Sequence, residues 1–361
     1  MQVRLPKRSF SEALAVLERV VPTRSSSPVL TNLWVEGQED GLILRGSNGE
    51  IDLELAVPAE VDGQGARLVP GQLLGQVVRG LPGELVELAL QDGELTIESG
   101  SFKTSLATAA SDEFPGFEFA VDSLVNIPAR ELSRAFSRVR YAASGEDYRA
   151  IFRGVQLELH PGRLRAVASD GFRLALYDVS LPIEEERKLV VPARSVDEII
   201  RVLERSEGDV SLGAQAGHLT LAGDGFRLVA ALMEGEFPDY ERVIPQQIAL
   251  EVRIPAALLR DSLKRVKVLA DRSNHRLDLI FNGEALDVVA EGEMGRGSEA
   301  LQAEVVAGEA MSLAYNAEYL LDALGPLAST ARLRFSGAAS PSIIQDEDDQ
   351  GYLAVVVPLR V

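Results

Sequence analysis

Cysteine is absent from the 361 residues. Disulfide frameworks, thiolate nucleophiles and Cys-ligated zinc are excluded with it. Histidine is nearly absent as well: His160, His218 and His275 stand apart, without the i, i+4 pair or neighbouring nucleophile that a zinc site or an acyl-transfer triad would need. No apolar run approaches the ~18–20 residues that span a bilayer. The opening Met1-Gln2-Val3-Arg4-Leu5-Pro6-Lys7-Arg8 lacks the apolar core of a signal peptide. There is no G-x-x-x-x-G-K-S/T phosphate loop, so no P-loop ATPase. Together these absences predict a soluble cytoplasmic protein that is not an enzyme and uses no metal or cofactor. Positive charge is also short, with 36 Lys and Arg against 55 Asp and Glu and a net charge of −19. Taken alone, that figure argues against a partner made of phosphates.

What is present is folded-protein composition, 46% apolar and 25% charged, over a length that allows two or three domains. Repetition settles the number. Ile127-Pro128-Ala129 returns 127 positions later as Ile254-Pro255-Ala256, and Leu5-Pro6-Lys7 precedes the first by 122. Phe114-Pro115-Gly116-Phe117 returns as Phe237-Pro238-Asp239-Tyr240, and Ser47-Asn48-Gly49 as Ser169-Asp170-Gly171. Three copies of one domain follow, with expected boundaries 1–121, 122–249 and 250–361. Inside the second copy Asp170-Gly171-Phe172-Arg173-Leu174 reappears 54 residues on as Asp224-Gly225-Phe226-Arg227-Leu228, so each domain reads as two related halves.

Helical spacing recurs at Phe10, Leu14 and Leu17, at Leu132, Phe136 and Val139, and again after each later Pro or its equivalent, as at Val196, Ile199 and Leu203 or at Leu320, Ala323 and Leu324. Between these lie short alternating segments broken by Asp-Gly and Asn-Gly turns. The expected fold class is α+β: per domain, two helices and roughly eight antiparallel strands, a helix and then a run of strands, twice over.

The charge is unevenly placed. Residues 129–140 and 256–267 each carry +3, and the six helical patterns together carry +5, which leaves −24 on the remainder. Arg130, Arg134 and Arg138 form one stripe and Arg260, Lys264 and Lys267 another, each opposite the apolar face; Arg194, Arg201 and Arg205 form a mixed row. A solvated helix face is the plain reading of any one stripe. Repetition on equivalent helices supports a mildly cationic surface that holds phosphates without reading bases. Two other motifs are weaker. Asp346-Glu347-Asp348-Asp349 reads as a solvated acidic turn ahead of a divalent-cation site. Gly295-Arg296-Gly297-Ser298-Glu299-Ala300 imitates a dinucleotide fingerprint without the βαβ unit it requires.

Four stretches carry a family resemblance: Ser27-Pro28-Val29-Leu30-Thr31-Asn32-Leu33, Val167-Ala168-Ser169-Asp170-Gly171-Phe172-Arg173-Leu174-Ala175, Glu236-Phe237-Pro238-Asp239-Tyr240-Glu241-Arg242-Val243-Ile244-Pro245, and Val357-Pro358-Leu359-Arg360-Val361. Along its whole length the chain resembles the bacterial DNA polymerase III β subunit, the sliding clamp. The resemblance implies a head-to-tail homodimer whose six domains form a ring around double-stranded DNA, with helices lining the hole. It implies as partners the polymerase III catalytic subunit, a clamp loader that spends ATP to open the ring, and other proteins bearing a clamp-binding peptide, and no membrane. With the helices lining the hole, the expected DNA-facing set takes Arg79, Arg134, Arg138, Arg201, Arg205, Arg260, Lys264 and Lys267 from the helical patterns, joined by Arg24 and Tyr148 in loops that match the family's DNA-contacting loops.

The peptide pocket implied between the second and third domains comprises Arg149, Phe152, Ser169, Gly171, Phe172, Arg173, Leu174, Pro238, Arg242, Val243, Asn316, Tyr319, Ser342, Val356, Val357, Pro358, Leu359 and Arg360. An apolar cleft of Leu174, Val243, Val356, Pro358 and Leu359 would bury the anchors of the peptide, with arginines at its rim. The ring seam would bring Lys103, Thr104 and Leu106 against Val268 and Leu269. The chain departs from relatives at Glu146, Ala150 and Ile151, where aromatic and amide groups reach DNA, and at Asn274, which is often aromatic. Two other readings compete: a repeat scaffold that binds proteins only, and a catalytic repeat protein with perturbed acids converging in one cleft.

Overall fold

Every helix enters directly from a strand, and the residue at the junction explains where. The computed structural model describes residues 1–91, 93–115, 123–145 and 150–360. The expected 121/122 boundary, Glu146, Tyr148, Arg149 and Val361 lie outside these. The first repeat runs β1 (Gln2–Pro6), α1 (Lys7–Val20), β2 (Asn32–Gln38), β3 (Gly41–Ser47) and β4 (Ile51–Val57), then β5 (Glu60–Asp62), β6 (Gly65–Pro70), α2 (Gly71–Gly80), β7 (Leu85–Gln91), β8 (Glu94–Ser99) and β9 (Phe102–Ala107). The second runs β10 (Ser123–Pro128), α3 (Ala129–Val139), β11 (Gly154–His160), β12 (Arg163–Ser169) and β13 (Arg173–Ser180), then β14 (Arg187–Pro192), α4 (Ala193–Leu203), β15 (Asp209–Gln215), β16 (His218–Gly223) and β17 (Phe226–Ala231). The third runs β18 (Leu250–Pro255), α5 (Ala256–Val266), β19 (Arg276–Asn282), β20 (Ala285–Gly292) and β21 (Gly295–Gln302), then β22 (Glu304–Gly308), β23 (Met311–Asn316), α6 (Ala317–Leu324), β24 (Thr330–Phe335), β25 (Ser342–Asp346) and β26 (Tyr352–Val356).

Each half-repeat is thus an entry strand, a helix and three strands, with an added strand, β5 or β22, ahead of the second half in the first and third repeats. The entry strands of α1 to α5 end in Pro6, Pro70, Pro128, Pro192 and Pro255. Proline has no N–H to contribute to a ladder and its ring pre-sets φ for the turn into a helix. Before α6 the position is Asn316, whose Oδ1 instead accepts from the Glu318 amide at 2.9 Å. The first amide of the leading helix in each repeat is satisfied in the same way. Lys7 N donates to Glu84 O at 2.7 Å, Ala129 N to Gly208 O at 2.9 Å and Ala256 N to Ser329 O at 2.9 Å, each acceptor lying in the loop after the second helix.

The helices bury the faces their spacing predicts: Phe10, Leu14 and Leu17 on α1, Leu132, Ala135, Phe136 and Val139 on α3, Leu259, Leu263 and Val266 on α5. On α2 the stripe is narrower, since Leu74 and Val78 are buried and Leu73 is exposed. Gly75 on α2 makes room for the Glu18 side chain of α1; a Cβ there would fall 1.6 Å from Glu18 Oε1.

Contacts divide the chain into two compact units, Met1–Ser133 with Arg194–Met233, and Arg134–Ala193 with Glu234–Val361. Among the described residues, the first holds a five-stranded sheet, β5-β1-β7-β8-β9, and an eight-stranded sheet, β10-β15-β16-β17-β4-β3-β2-β6. The second holds a nine-stranded sheet, β14-β11-β12-β13-β26-β25-β24-β18-β22, and a four-stranded sheet, β21-β20-β19-β23. Two antiparallel pairings make the large sheets continuous across repeats. β17 pairs with β4 from Phe226↔Leu55 to Ala230↔Ile51, and β13 pairs with β26 from Arg173↔Val356 to Tyr177↔Tyr352. The units therefore cut across the sequence repeat, because ladder hydrogen bonds tie strands of successive repeats together.

Candidate peptide pocket and nucleic-acid face

The Ser-Asx-Gly phrase that recurs in the sequence makes one turn twice. Ser47 Oγ accepts from Gly49 N at 3.1 Å, and Asn48 Oδ1 from the Glu50 and Ile51 amides at 2.9 and 2.8 Å. Ser169 Oγ accepts from Gly171 N at 3.2 Å, and Asp170 Oδ1 from the Phe172 and Arg173 amides, both at 2.9 Å. Gly49 and Gly171 sit at φ +87° and +89°, where a side chain would be strained. The second copy differs in what the turn presents. Phe172 stands 52% exposed at its tip. Arg173 follows, with Nε 3.0 Å from Asp170 Oδ2 and Nη1 bonded to Asp322 on α6.

Phe172 stacks on Tyr319 of α6, ring centroids 6.2 Å apart at 21°. The Arg173 guanidinium lies 4.6 Å from the Tyr319 ring centroid and 5.6 Å from that of Tyr141. Burial opposes the Arg173 charge, yet Asp322 and Asp170 outweigh it and hold the group above its usual pKa. The chain end is tied to the same place: Val357 N donates to Phe172 O at 2.9 Å and Leu359 N to Ala314 O at 2.7 Å.

The expected apolar walls are mostly closed. Leu174 pairs with Val355 and is 2% exposed in a buried cluster with Val167, Leu176 and Tyr240, against which Phe237 and Ile244 pack. Val356 is fully buried opposite Arg173, and Pro358 is buried too. Packed side chains shut these positions off from solvent, so they form core and not an open wall. The serines are structural: Ser169 Oγ donates to Arg173 O at 2.8 Å, and Ser342 Oγ bonds the buried Tyr315 hydroxyl. Asn316 caps α6. What remains at the surface is Phe172, Gly171, Val243 at 48% exposure, Val357 at 37%, Pro238, Arg242 and Arg360, with Tyr319 and Leu359 half-buried. Arg242 is not free at the rim, its Nε lying 2.6 Å from Asp239 Oδ2. Phe152 is buried, edge-on to Phe237 at 6.0 Å.

Beside this surface lies a cleft of ≈ 630 Å³ that sequence reasoning missed, lined among others by Gln156, Glu158, His160, Phe237, Pro238 and Tyr240. Glu158 is buried in it and accepts from Gln156 Nε2 at 2.6 Å and the Tyr240 hydroxyl at 3.1 Å, with His160 Nε2 at 3.0 Å. Burial, opposed by Arg165 and helped by Glu158, pushes the Tyr240 phenol up to about 12. Only the period-2 alternation of Gln156 and Glu158 along β11 could have hinted that two polar side chains share a buried strand.

The expected DNA-facing cations are, for the most part, already engaged. Arg79 pairs with Glu18, Arg201 with Glu198 at 2.6 Å and Lys267 with Glu318 at 2.7 Å. Arg134 and Arg138 share Asp349 at 2.7 and 3.2 Å. Arg205 Nη1 donates to Glu12 O at 3.0 Å, and Arg260 Nη1 to the Leu324 and Leu327 carbonyls at 2.9 and 2.7 Å. Arg24 and Lys264 are exposed and make no ion pair among the described residues.

The acidic stretch 346–349 is only in part the solvated turn its composition suggests, for Glu347 and Asp348 are exposed but Asp346 ends β25. Asp346 is buried and accepts from Ala328 N and Ser329 Oγ, both at 2.7 Å, while Glu347 meets Arg253 at 3.2 Å. No group of three His, Cys, Asp or Glu that could hold a metal occurs among the described residues. Gly295–Ala300 lies in the antiparallel edge strand β21, so the dinucleotide pattern is coincidental. No helix is long and apolar enough to cross a membrane, among the described residues.

At the expected seam, Lys103, Thr104 and Leu106 lie on β9, the edge of the five-stranded sheet, and Lys103 pairs with Glu98. Val268 is 78% exposed. Leu269 packs against its own sheet, so close to Gly297 of β21 that a Cβ there would lie 2.7 Å from Leu269 Cδ1.

Comparison with known proteins agrees along the whole chain. Models of the DNA polymerase III beta subunit match in order: the N-terminal domain over residues 1–118, the central domain over 126–239 and the C-terminal domain over 241–360. The beta sliding clamp of Pseudomonas putida is 30% identical and that of Pseudomonas aeruginosa 29%, each aligned over 100% of both chains. The crystal structure of a DnaN sliding clamp from Pseudomonas aeruginosa, bound to griselimycin, superposes with a TM-score of 0.95 at 26% identity and full coverage of both chains. The threefold repeat, the clamp fold and these matches place the chain in the DNA polymerase III beta subunit family, the β sliding clamps.

Proposed function

We propose that two copies of this chain close head to tail around duplex DNA and tether the replicative polymerase to it, the repeats 1–121, 122–249 and 250–361 forming successive ring segments. One observation carries the closure. In both large sheets, the last strand of one repeat's first half pairs with the last strand of the next repeat's second half: β4 with β17, β13 with β26. By the same rule β21 should pair with β9, and within one chain each lies at the edge of its sheet. Pairing them between copies is a heterologous contact that closes when the rotation is right, and it covers two edges that would otherwise template aggregation. Lys103, Thr104 and Leu106 then meet a partner edge flanked by Val268 and Leu269.

Linkage by topology replaces affinity, so an anion of charge −19 can hold DNA. No catalysis is asked of the chain, and opening the ring falls to a partner that spends ATP. The exposed Phe172, Val243 and Val357, with the half-buried Tyr319, offer partner proteins a surface for a short apolar peptide. The test is retention on a closed DNA circle. The homodimer should stay on a nicked circle and leave when it is linearised, and Arg134→Glu with Arg138→Glu and Lys264→Glu should shorten retention. A monomer in solution, or retention indifferent to linearisation, would sink the reading and favour a scaffold that binds proteins only.

A further inference from the structure

Asp349, in the turn between β25 and β26, spends its carboxylate on α3. Its Oδ2 lies 2.7 Å from Arg134 Nη2 and 3.2 Å from Arg138 Nη2, and its side chain is only 16% exposed. Both guanidinium groups also sit over the Tyr177 ring, 5.3 and 5.9 Å from its centroid. Two arginines one helical turn apart repel each other. A single carboxylate oxygen shared between them relieves that repulsion and leaves the trio with a net charge of +1. The position this oxygen occupies, between two guanidinium groups, is one that a phosphate oxygen would take.

We propose that Asp349 is an affinity-setting residue for DNA, an internal anion that holds the Arg134–Arg138 site until a phosphate displaces it. The proposal rests on the α3 face being the one turned to DNA. Contact there is then an exchange of one anion for another. Its net gain is the difference between two similar interactions, and fewer counterions are released per phosphate. The consequence for a clamp is mobility: a site that binds phosphate only as well as it binds its own carboxylate gives the duplex no preferred resting position. Arg201 with Glu198 and Lys267 with Glu318 are likewise each held by a carboxylate, one cation to each, whereas Lys264 makes no ion pair among the described residues.

The test measures binding of the homodimer to a short linear duplex as a function of salt, by fluorescence anisotropy, for Asp349→Asn, Asp349→Ser and the double variant Arg134→Gln, Arg138→Gln. Both neutral replacements at 349 should tighten binding about two- to fivefold at low salt, the scale of one exposed ion pair. They should also steepen the fall of log K with log salt by about one to two phosphate equivalents and slow one-dimensional diffusion on a circle. The double arginine variant should weaken binding. If it weakens binding while neither 349 variant tightens it, the masking role is overturned and the α3 face stands. If the double variant changes nothing, the face itself is wrongly assigned and the proposal falls with it.

Discussion

The Phe172 ring lies nearly parallel to that of Tyr319, 21° apart and 6.2 Å between centroids, and the Arg173 guanidinium covers Tyr319 at 4.6 Å. A strand turn in the second repeat and a helix in the third thereby share one aromatic surface. Phe172→Ala should lower affinity for a partner peptide with an apolar end about tenfold, the scale of an aromatic hot spot. Calorimetry with a synthetic peptide checks it; unchanged affinity would place the peptide elsewhere.

Removal of Pro358 to Val361 should abolish peptide binding and leave the dimer intact. Leu359 is anchored by its amide to Ala314 O at 2.7 Å on β23, the edge of the four-stranded sheet opposite to the seam strand β21. Peptide titration together with solution mass separates the two effects. Retained peptide affinity would discard the assignment of the chain end to the pocket.

Val268 is an exposed apolar side chain without a covering neighbour in one copy, at 78% exposure. Val268→Asp should weaken the dimer by about 1.5–3 kcal/mol, the value of burying a valine, which is roughly ten- to a hundredfold in dissociation constant. Light scattering across a dilution series reads it. A dimer that dissociates at the wild-type concentration would remove Val268 from the seam.

Asp346 ties the third repeat together from inside. Its burial raises the carboxyl pKa, but the Ser329 hydroxyl and the amides of Ala328, Asp348 and Ser329 outweigh this and hold it below the ordinary value. A carboxylate depressed in the folded state stabilises fully above its unfolded pKa, about 4. That contribution disappears as pH falls from there through the folded value. Asp346→Asn should therefore cost about 2 kcal/mol at pH 7 and progressively less as the solution is acidified below pH 4. Denaturant titrations at pH 7 and at about pH 3, below the unfolded carboxylate value, test it; an equal loss at both would mean that charge is not what Asp346 contributes.

Asp349 shows why the cationic stripe was legible and its state was not. The i, i+4 spacing of Arg134 and Arg138 marks one face of α3 from sequence alone. That a carboxylate 211 residues beyond Arg138 offsets part of this face's charge depends on the β13·β26 pairing, which no local pattern announces. Leu174 and Val356 teach the same lesson for the pocket. Their apolar character was evident, and their burial inside a sheet spanning two repeats was not.

The sequence by itself determined the threefold repeat, the half-repeat of entry strand, helix and strands, the proline that sets each of the first five helix starts, and the glycine turns. All of these follow from local φ preferences and from periods of 2 and 3.6 residues. Only the tertiary structure decided that the middle repeat is divided between two units, that most helix cations already have partners, and that β9 and β21 are left as edges. Those outcomes depend on which distant strands exchange hydrogen bonds, and ladder pairing is set by the competition among all available edges rather than by any segment alone.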